Sequence, residues 1–212
     1  MKFRRYRQYQ KGEFIVVGVD TAWTGTDYVC GQFISKTNRD QVTVYHTNKV
    51  SMTIGTQNLH DELERIFDIT GVKPVVAIET NNGGTGWIET MNLLNRQGKY
   101  KLYRRKVMEG TIHQTEDSDK LGFTTNSATR PRMLGDLKEA VDAQMLVLPD
   151  KPTINEMFAF IINSRGRPEA EQGSHDDLIM SLAIAWQLYQ SEAAPIKKVR
   201  KHREIKRSKF HV

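Results

Sequence analysis

The chain has 212 residues, which is enough for one domain with a sizeable hydrophobic core. No apolar run approaches the roughly 20 residues needed to span a bilayer, so we expect no membrane association, and the basic start is not a secretory signal because no apolar segment follows it. Cys30 is the only cysteine, which excludes an internal disulfide and a zinc site built from several cysteines and fits a reducing, cytoplasmic setting.

The charge is unevenly distributed along the chain. Residues 1–11 carry five Lys or Arg and no acid, residues 195–212 carry eight and one acid, and residues 12–194 carry 18 basic and 24 acidic residues. Basic ends around an acidic body are typical of an enzyme that holds cations at its site and contacts a polyanion elsewhere. Solvated tails explain the same pattern without a partner, and we expect residues 191–212 to be disordered.

The first half of the chain has the pattern of three strands followed by alternating helices and strands. Leu59, Leu63 and Ile66 have helical spacing, and Gly71 ends that helix. The predicted elements are strands Phe14–Val19, Asp27–Ser35 and Gln41–Val50, helix Thr56–Ile69, strand Pro74–Glu79, helix Gly86–Gln97 and strand Tyr100–Val107.

The second half is more helical. Residues 109–128 are polar, and LGFTTNSATR within them predicts a small hairpin or an ordered loop. Thr129 caps a predicted helix to about Ala143, Ile154–Asn163 is ambiguous between helix and strand, and RGRPEAEQG reads as a loop. Ser174 is predicted to cap a final helix, His175–Tyr189. Four apolar residues are expected in the core: Met157, Phe158, Phe160 and Ile161.

This order of elements matches the ribonuclease H-like plan. We therefore predict an α/β fold in which a mixed sheet has three antiparallel strands followed by parallel strands, with helices on both faces. The domain is expected to span residues 13–190, with residues 1–12 as a basic segment before it.

Acidic residues stand at the ends of elements that this plan brings together. The strands that end at Asp20 and Glu79 are adjacent and parallel in it, and ligand sites collect at the carboxyl ends of such strands. Asp176 and Asp177 open the last helix, where a helix N-terminus stabilises carboxylates. Each acid alone is explained equally well as an ordinary strand end or cap.

Carboxylates gathered at one place repel one another, and hard divalent cations with oxygen ligands offset that repulsion. We therefore predict Mg²⁺ or Mn²⁺, most simply two ions, held by Asp20, Glu79, Asp176 and Asp177. The sequence leaves open which of Asp176 and Asp177 is the main ligand.

Four stretches in this order resemble the nuclease domain of the large terminase subunit of tailed bacteriophages. They are GVDTA (18–22), AIETNNGG (77–84), KLGFTTNSATRPRML (120–134) and GSHDDLIMSLAIAW (173–186). The resemblance implies a metal-dependent endonuclease that cuts concatemeric double-stranded viral DNA during packaging, in the host cytoplasm. It also implies an ATPase motor domain of the same subunit, a small terminase subunit and a portal protein as partners. The phosphate-loop pattern G-x-x-x-x-G-K-[ST] of such a motor is missing here.

Carried over by position, the resemblance makes the four acids catalytic metal ligands. His175 and Asn81 would lie next to them, with His175 also explained as an ordinary helix-start residue. The basic residues expected to contact DNA phosphates, without reading sequence, are Arg104, Arg105, Lys120, Arg130, Arg132, Arg165 and Arg167.

Other functions remain compatible with this pattern. They include a Holliday-junction resolvase, an RNA–DNA hybrid nuclease and a catalytically silent DNA-binding or docking module. An actin-like ATP-binding fold, suggested by GVDTAWTGTDYV, requires a duplicated domain for which this chain is too short.

Overall fold

The computed structural model describes residues 2–21, 28–48, 50–81, 83–108, 115–162, 168–170 and 175–194. The strands are β1 (Phe3–Arg5), β2 (Ile15–Asp20), β3 (Val29–Ser35), β4 (Asp40–Thr47), β5 (Val75–Ile78), β6 (Lys101–Leu102), β7 (Arg104–Met108), β8 (Thr115–Leu121), β9 (Phe160–Ile162) and β10 (Pro168–Ala170). The helices are α1 (Met52–Thr70), α2 (Gly84–Leu94), α3 (Thr129–Asp142), α4 (Lys151–Phe158) and α5 (Asp177–Ser191). None of these helices is long and apolar enough to cross a membrane.

Six strands form one mixed sheet in the order β1-β4-β3-β2-β5-β6. β2, β3 and β4 are the predicted antiparallel meander, whereas β5 runs parallel to β2 and β6 parallel to β5. The predicted ribonuclease H-like mixed sheet is therefore confirmed.

The two faces of the sheet are covered by different helices. Along β2, Val17 and Val19 pack in one buried cluster with side chains of α1 and α2, whereas Val16 packs in another with α3 and α5. This follows from the alternation of side chains along a strand. The prediction of helices on both faces is also confirmed.

Gly18 brings α5 unusually close to the centre of the sheet. A Cβ atom at Gly18 would lie 2.2 Å from the Ser181 carbonyl oxygen and 2.3 Å from the Ala185 amide nitrogen. Both are backbone atoms of α5, so a side chain at this position cannot be accommodated by a rotamer change. The close approach directs the start of α5 towards the residues that follow Gly18 in β2.

Residues 3–5, in the segment expected to precede the domain, form the edge strand β1 beside β4. Arg4 makes two hydrogen bonds to the buried Asp150 carboxylate, at 2.6 and 3.0 Å. Arg7 binds Glu13 and Asp40. Much of the basic charge at this end is thus paired within the fold.

The predicted strand Tyr100–Val107 is divided in two. β6 pairs with β5, but Phe123 takes the place beside Glu79, with its amide 2.8 Å from the Ile78 carbonyl. The chain from Arg104 onwards leaves the sheet and pairs with β8 as a hairpin. The sequence analysis expected a small hairpin or an ordered loop at residues 121–130, which are further along the chain.

Three other expectations were wrong or incomplete. The ambiguous segment Ile154–Asn163 contains both an α-helix, α4, and a strand, β9. The predicted loop RGRPEAEQG contains β10, which pairs with β9. Phe158 was expected in the core, but it is 84% exposed because it is the last residue of α4 and faces away from the sheet, while Met157 packs against the core.

Gly18→Ala should lower the free energy of unfolding by about 3 kcal/mol or more, because overpacking against helix backbone cannot be relieved locally. Gly31→Ala is the matched control, since its Cβ would meet side chains only at 3.4 Å and beyond. Urea denaturation of both variants measures the difference. Equal stability of the two variants would contradict the close packing of α5 on β2.

Candidate metal-binding active site

Asp20 and Glu79 are neighbours at the ends of two parallel strands. β2 and β5 are paired in register up to Val19 and Ile78, and the Glu79 amide donates to the Val19 carbonyl at 2.9 Å. The next residue of each strand is an acid on the face that α5 covers, because side chains alternate and Gly18 lies on that face. Both carboxyl groups are buried, at 8% and 5% exposure.

Asp20 is the centre of a concentration of negative charge. Burial raises the pKa of Asp20 well above its usual range, and its hydrogen bond to Glu79 and the charges of Glu79, Asp177 and Asp176 raise this pKa further. The structure therefore brings together all four acids that the sequence analysis selected.

The third and fourth acids lie at the start of α5. Asp177 is its first residue and Asp176 occupies the N-cap position, without a side-chain capping bond. The helix was predicted to start at His175, so that prediction was two residues early, and Ser174, its predicted cap, lies outside the described residues. A helix N-terminus favours both carboxylates electrostatically.

Glu156 on α4 caps α5 instead of a residue next to it in sequence. Its carboxylate accepts hydrogen bonds from the Leu178 and Ile179 amides at 3.0 and 3.2 Å. Burial, together with the charges of Asp177 and Asp176, raises the pKa of Glu156 to about 7. Sequence reasoning missed this acid, because a cap supplied by another helix leaves no local pattern.

Thr125 and Asn81 hold the carboxylate of Glu79. The Thr125 hydroxyl donates to Glu79 Oε1, and Asn81 Nδ2 donates to the same oxygen at 3.2 Å. Asn81 also donates to the Thr125 carbonyl at 2.8 Å. Asn81 therefore lies next to the acids, where the sequence analysis expected it. Thr125 belongs to the stretch 120–134, but no contact with Glu79 was predicted for it.

Asp176 and Asp177 have different partners. Arg130, in the first turn of α3, forms an ion pair with Asp176. The His175 ring nitrogen Nδ1 lies 3.7 Å from Asp177 Oδ2, and that ring is half exposed and packs edge-on against Tyr28. His175 is therefore beside the acids but on their solvent side.

The remaining basic candidates lie around this edge or outside the described residues. Arg105 donates a hydrogen bond at 3.2 Å to the hydroxyl of Thr80, the residue that follows Glu79. The buried Nε of Arg105 has no hydrogen-bond partner in the described part of the chain. Arg104, Lys120 and Arg132 are exposed on β7, β8 and α3. Arg165, Arg167 and the loop residue Asn82 lie outside the described ranges.

The residue chemistry at this edge fits a hard divalent cation. Four carboxylates supply oxygen ligands and excess negative charge, and the nearby Cys30 is fully buried in β3, with burial and the neighbouring acids raising its thiol pKa. Across the described ranges, however, no three His, Cys, Asp or Glu side chains are already arranged around one ion. A cation at this edge would therefore have to draw these carboxylates closer together.

Solved structures of viral terminase nuclease domains share this fold. The large terminase nuclease from thermophilic phage G20c with bound magnesium has a TM-score of 0.65 and 16% identity, with 88% of this chain and 87% of that chain covered. The Thermus phage P74-26 large terminase nuclease domain has a TM-score of 0.62 and 16% identity, with 92% and 89% covered.

A human cytomegalovirus protein has the same fold. The human cytomegalovirus terminase nuclease domain, soaked with Mn and with an inhibitor bound, has a TM-score of 0.60 and 10% identity, with 87% of this chain and 90% of that chain covered. No family model matches this chain, and no curated protein matches it in sequence. At these identities, the similarity establishes the fold, and function rests on the site.

Thr125→Val should weaken Mn²⁺ binding about tenfold. Residues that orient a metal ligand typically contribute 10–100-fold to metal affinity, and we expect the lower end of this range because Asn81 still donates a hydrogen bond to Glu79. Isothermal titration with Mn²⁺ measures the change. Thr124→Val is the control, since Thr124 contacts Thr80 and not Glu79. Equal affinities for the two variants would show that Thr125 does not position Glu79.

Proposed function

We propose that this chain is a metal-dependent endonuclease that cuts concatemeric double-stranded viral DNA during genome packaging. The observation that carries the proposal is the meeting of Asp20, Glu79, Asp176 and Asp177 at one sheet edge, on the fold of terminase nucleases. Solved structures with this fold were obtained with magnesium, cobalt, zinc and Mn, which supports a divalent cation as the cofactor.

Asp20 is the central ligand in this proposal, because it lies between Glu79 and the start of α5. Asp177 is the main ligand from α5 in this proposal, since the Asp176 carboxylate is paired with Arg130. Two Mg²⁺ or Mn²⁺ ions held by these acids would activate a water and stabilise the leaving oxygen of a phosphodiester, so that cleavage would leave a 3′-hydroxyl.

The other residues hold this arrangement and the substrate. Thr125 and Asn81 fix Glu79, and Glu156 holds the first turn of α5. Basic side chains bind phosphates in this proposal and so position the duplex without reading its sequence. They are Arg104, Arg105, Lys120, Arg130, Arg132, Arg165 and Arg167.

The packaging role also defines the proposed partners. They are an ATPase motor domain of the same subunit, a small terminase subunit and a portal protein, in the cytoplasm of the infected host. These proposals rest on the shared fold and on the sequence resemblance.

Asp20→Asn should reduce duplex cleavage by more than about a hundredfold, because losing a ligand costs more than losing a partner of a ligand. The same variant should be at least as heat-stable as wild type in EDTA, since an amide replaces a buried carboxyl group whose charge is unfavourable there, and should lose the stabilisation that Mn²⁺ gives. A gel cleavage assay and thermal melts with and without Mn²⁺ measure both effects.

Asp142→Asn is the matched control for this variant. Asp142 is exposed at the far end of α3, about 20 Å along that helix from the acids. Its cleavage rate and Mn²⁺ response should equal those of wild type. Wild-type cleavage by Asp20→Asn would exclude the mechanism.

Linear duplex DNA should be cut in preference to a four-way junction or an RNA–DNA hybrid. The measurement is the initial rate on the three substrates at equal concentration with Mn²⁺. A preference for the junction by a stable dimer would indicate a resolvase, and preference for the hybrid would indicate a hybrid nuclease. Measurable Mn²⁺ binding without cleavage of any substrate would indicate a silent binding module.

A further inference from the structure

Arg130 lies at the rim of the acid cluster, where it is held by Asp176, one of the four acids. Its guanidinium pairs with Asp176, and the two side chains are 35% and 29% exposed. The pair therefore lies at the surface of the site, where a DNA backbone can reach it.

The segment Thr124–Arg130 fixes this cation relative to the metal ligands. Asn126 Oδ1 accepts the Ala128 and Thr129 amides, each at 2.9 Å, and so starts α3. One residue earlier, Thr125 binds Glu79. The same short segment thus contacts Glu79 at one end and Asp176 at the other.

The pair is suited to exchange. A partly exposed ion pair contributes little net stability, because water already solvates both charges well. A guanidinium binds two phosphate oxygens in the same forked geometry that it uses for a carboxylate. A DNA phosphate near the rim therefore competes directly with Asp176 for Arg130.

We propose that Arg130 exchanges between Asp176 and a DNA phosphate. In the free protein Asp176 occupies Arg130 and so masks a DNA contact, and when DNA binds Arg130 the Asp176 carboxylate becomes available to the metal ion. This inference rests on the proposed function and adds a means of coupling DNA binding to assembly of the metal site. Coupling of this kind is reciprocal, because each ligand favours the same arrangement.

Duplex binding in EDTA tests the exchange without cleavage. Asp176→Asn frees Arg130 and should tighten duplex binding about two- to fivefold more than Asp177→Asn, the range expected for an exposed ion pair. Both variants remove one acid from the same helix start, so general repulsion of DNA is matched. With Arg130→Gln as the background, the two gains should become equal.

Mn²⁺ titration without DNA supplies the second readout. Arg130→Gln should raise Mn²⁺ affinity more than Arg132→Gln, an exposed position on the same helix with the same charge change. Asp176→Asn should then lower Mn²⁺ affinity more in the Arg130→Gln background than in wild type. Circular dichroism melts confirm that each variant is folded, and Asp176 makes no capping bond that Asn would remove.

Two results would overturn the exchange. One is an equal gain in duplex affinity for Asp176→Asn and Asp177→Asn in the wild-type background, and the other is an Asp176→Asn gain that persists undiminished with Arg130→Gln. Because the DNA arm contains no metal, it is independent of catalysis. A wild-type chain that shows the exchange but never cuts duplex would overturn the proposed function alone.

Discussion

The close packing of α5 against Gly18 is the constraint on which the site depends. Without a side chain at Gly18, the backbone of α5 reaches the central strand at Ser181 and Ala185. Asp177 lies one helical turn before Ser181, and Asp20 lies two residues after Gly18 on the same face. The contact that fills the core therefore also sets the distance between the strand-end acids and the helix-start acids.

The gathered carboxylates oppose folding in the absence of a cation, and the structure contains several features that reduce this cost. Thr125 and Asn81 donate hydrogen bonds to Glu79, Arg130 neutralises Asp176, and the N-terminus of α5 favours negative charge. Asp20 remains buried among these acids with its pKa raised. Functional sites commonly retain such unfavourable electrostatics, because a bound ligand relieves them.

The segment from Phe123 to Arg130 connects the parts of the site that are distant in sequence. Phe123 pairs with Glu79 along the sheet, Thr125 binds the Glu79 side chain, and Arg130 reaches the start of α5. By occupying the place beside β5, it also forces β7 out of the sheet into a hairpin with β8. The hairpin and the acids are therefore organised by the same residues.

The sequence by itself determined the order of the elements from β2 to α2, the two-faced sheet and the choice of the four acids, because buried strands, helical periodicity and strand-end carboxylates are local patterns. The tertiary structure alone decided that Glu156 caps α5, that Thr125 holds Glu79 and that Arg130 pairs with Asp176. It also divided the strand after Tyr100 and moved the start of α5 to Asp177. Each of the three side-chain contacts joins residues more than 20 positions apart, and their meeting is set by packing and leaves no periodic signal in the chain.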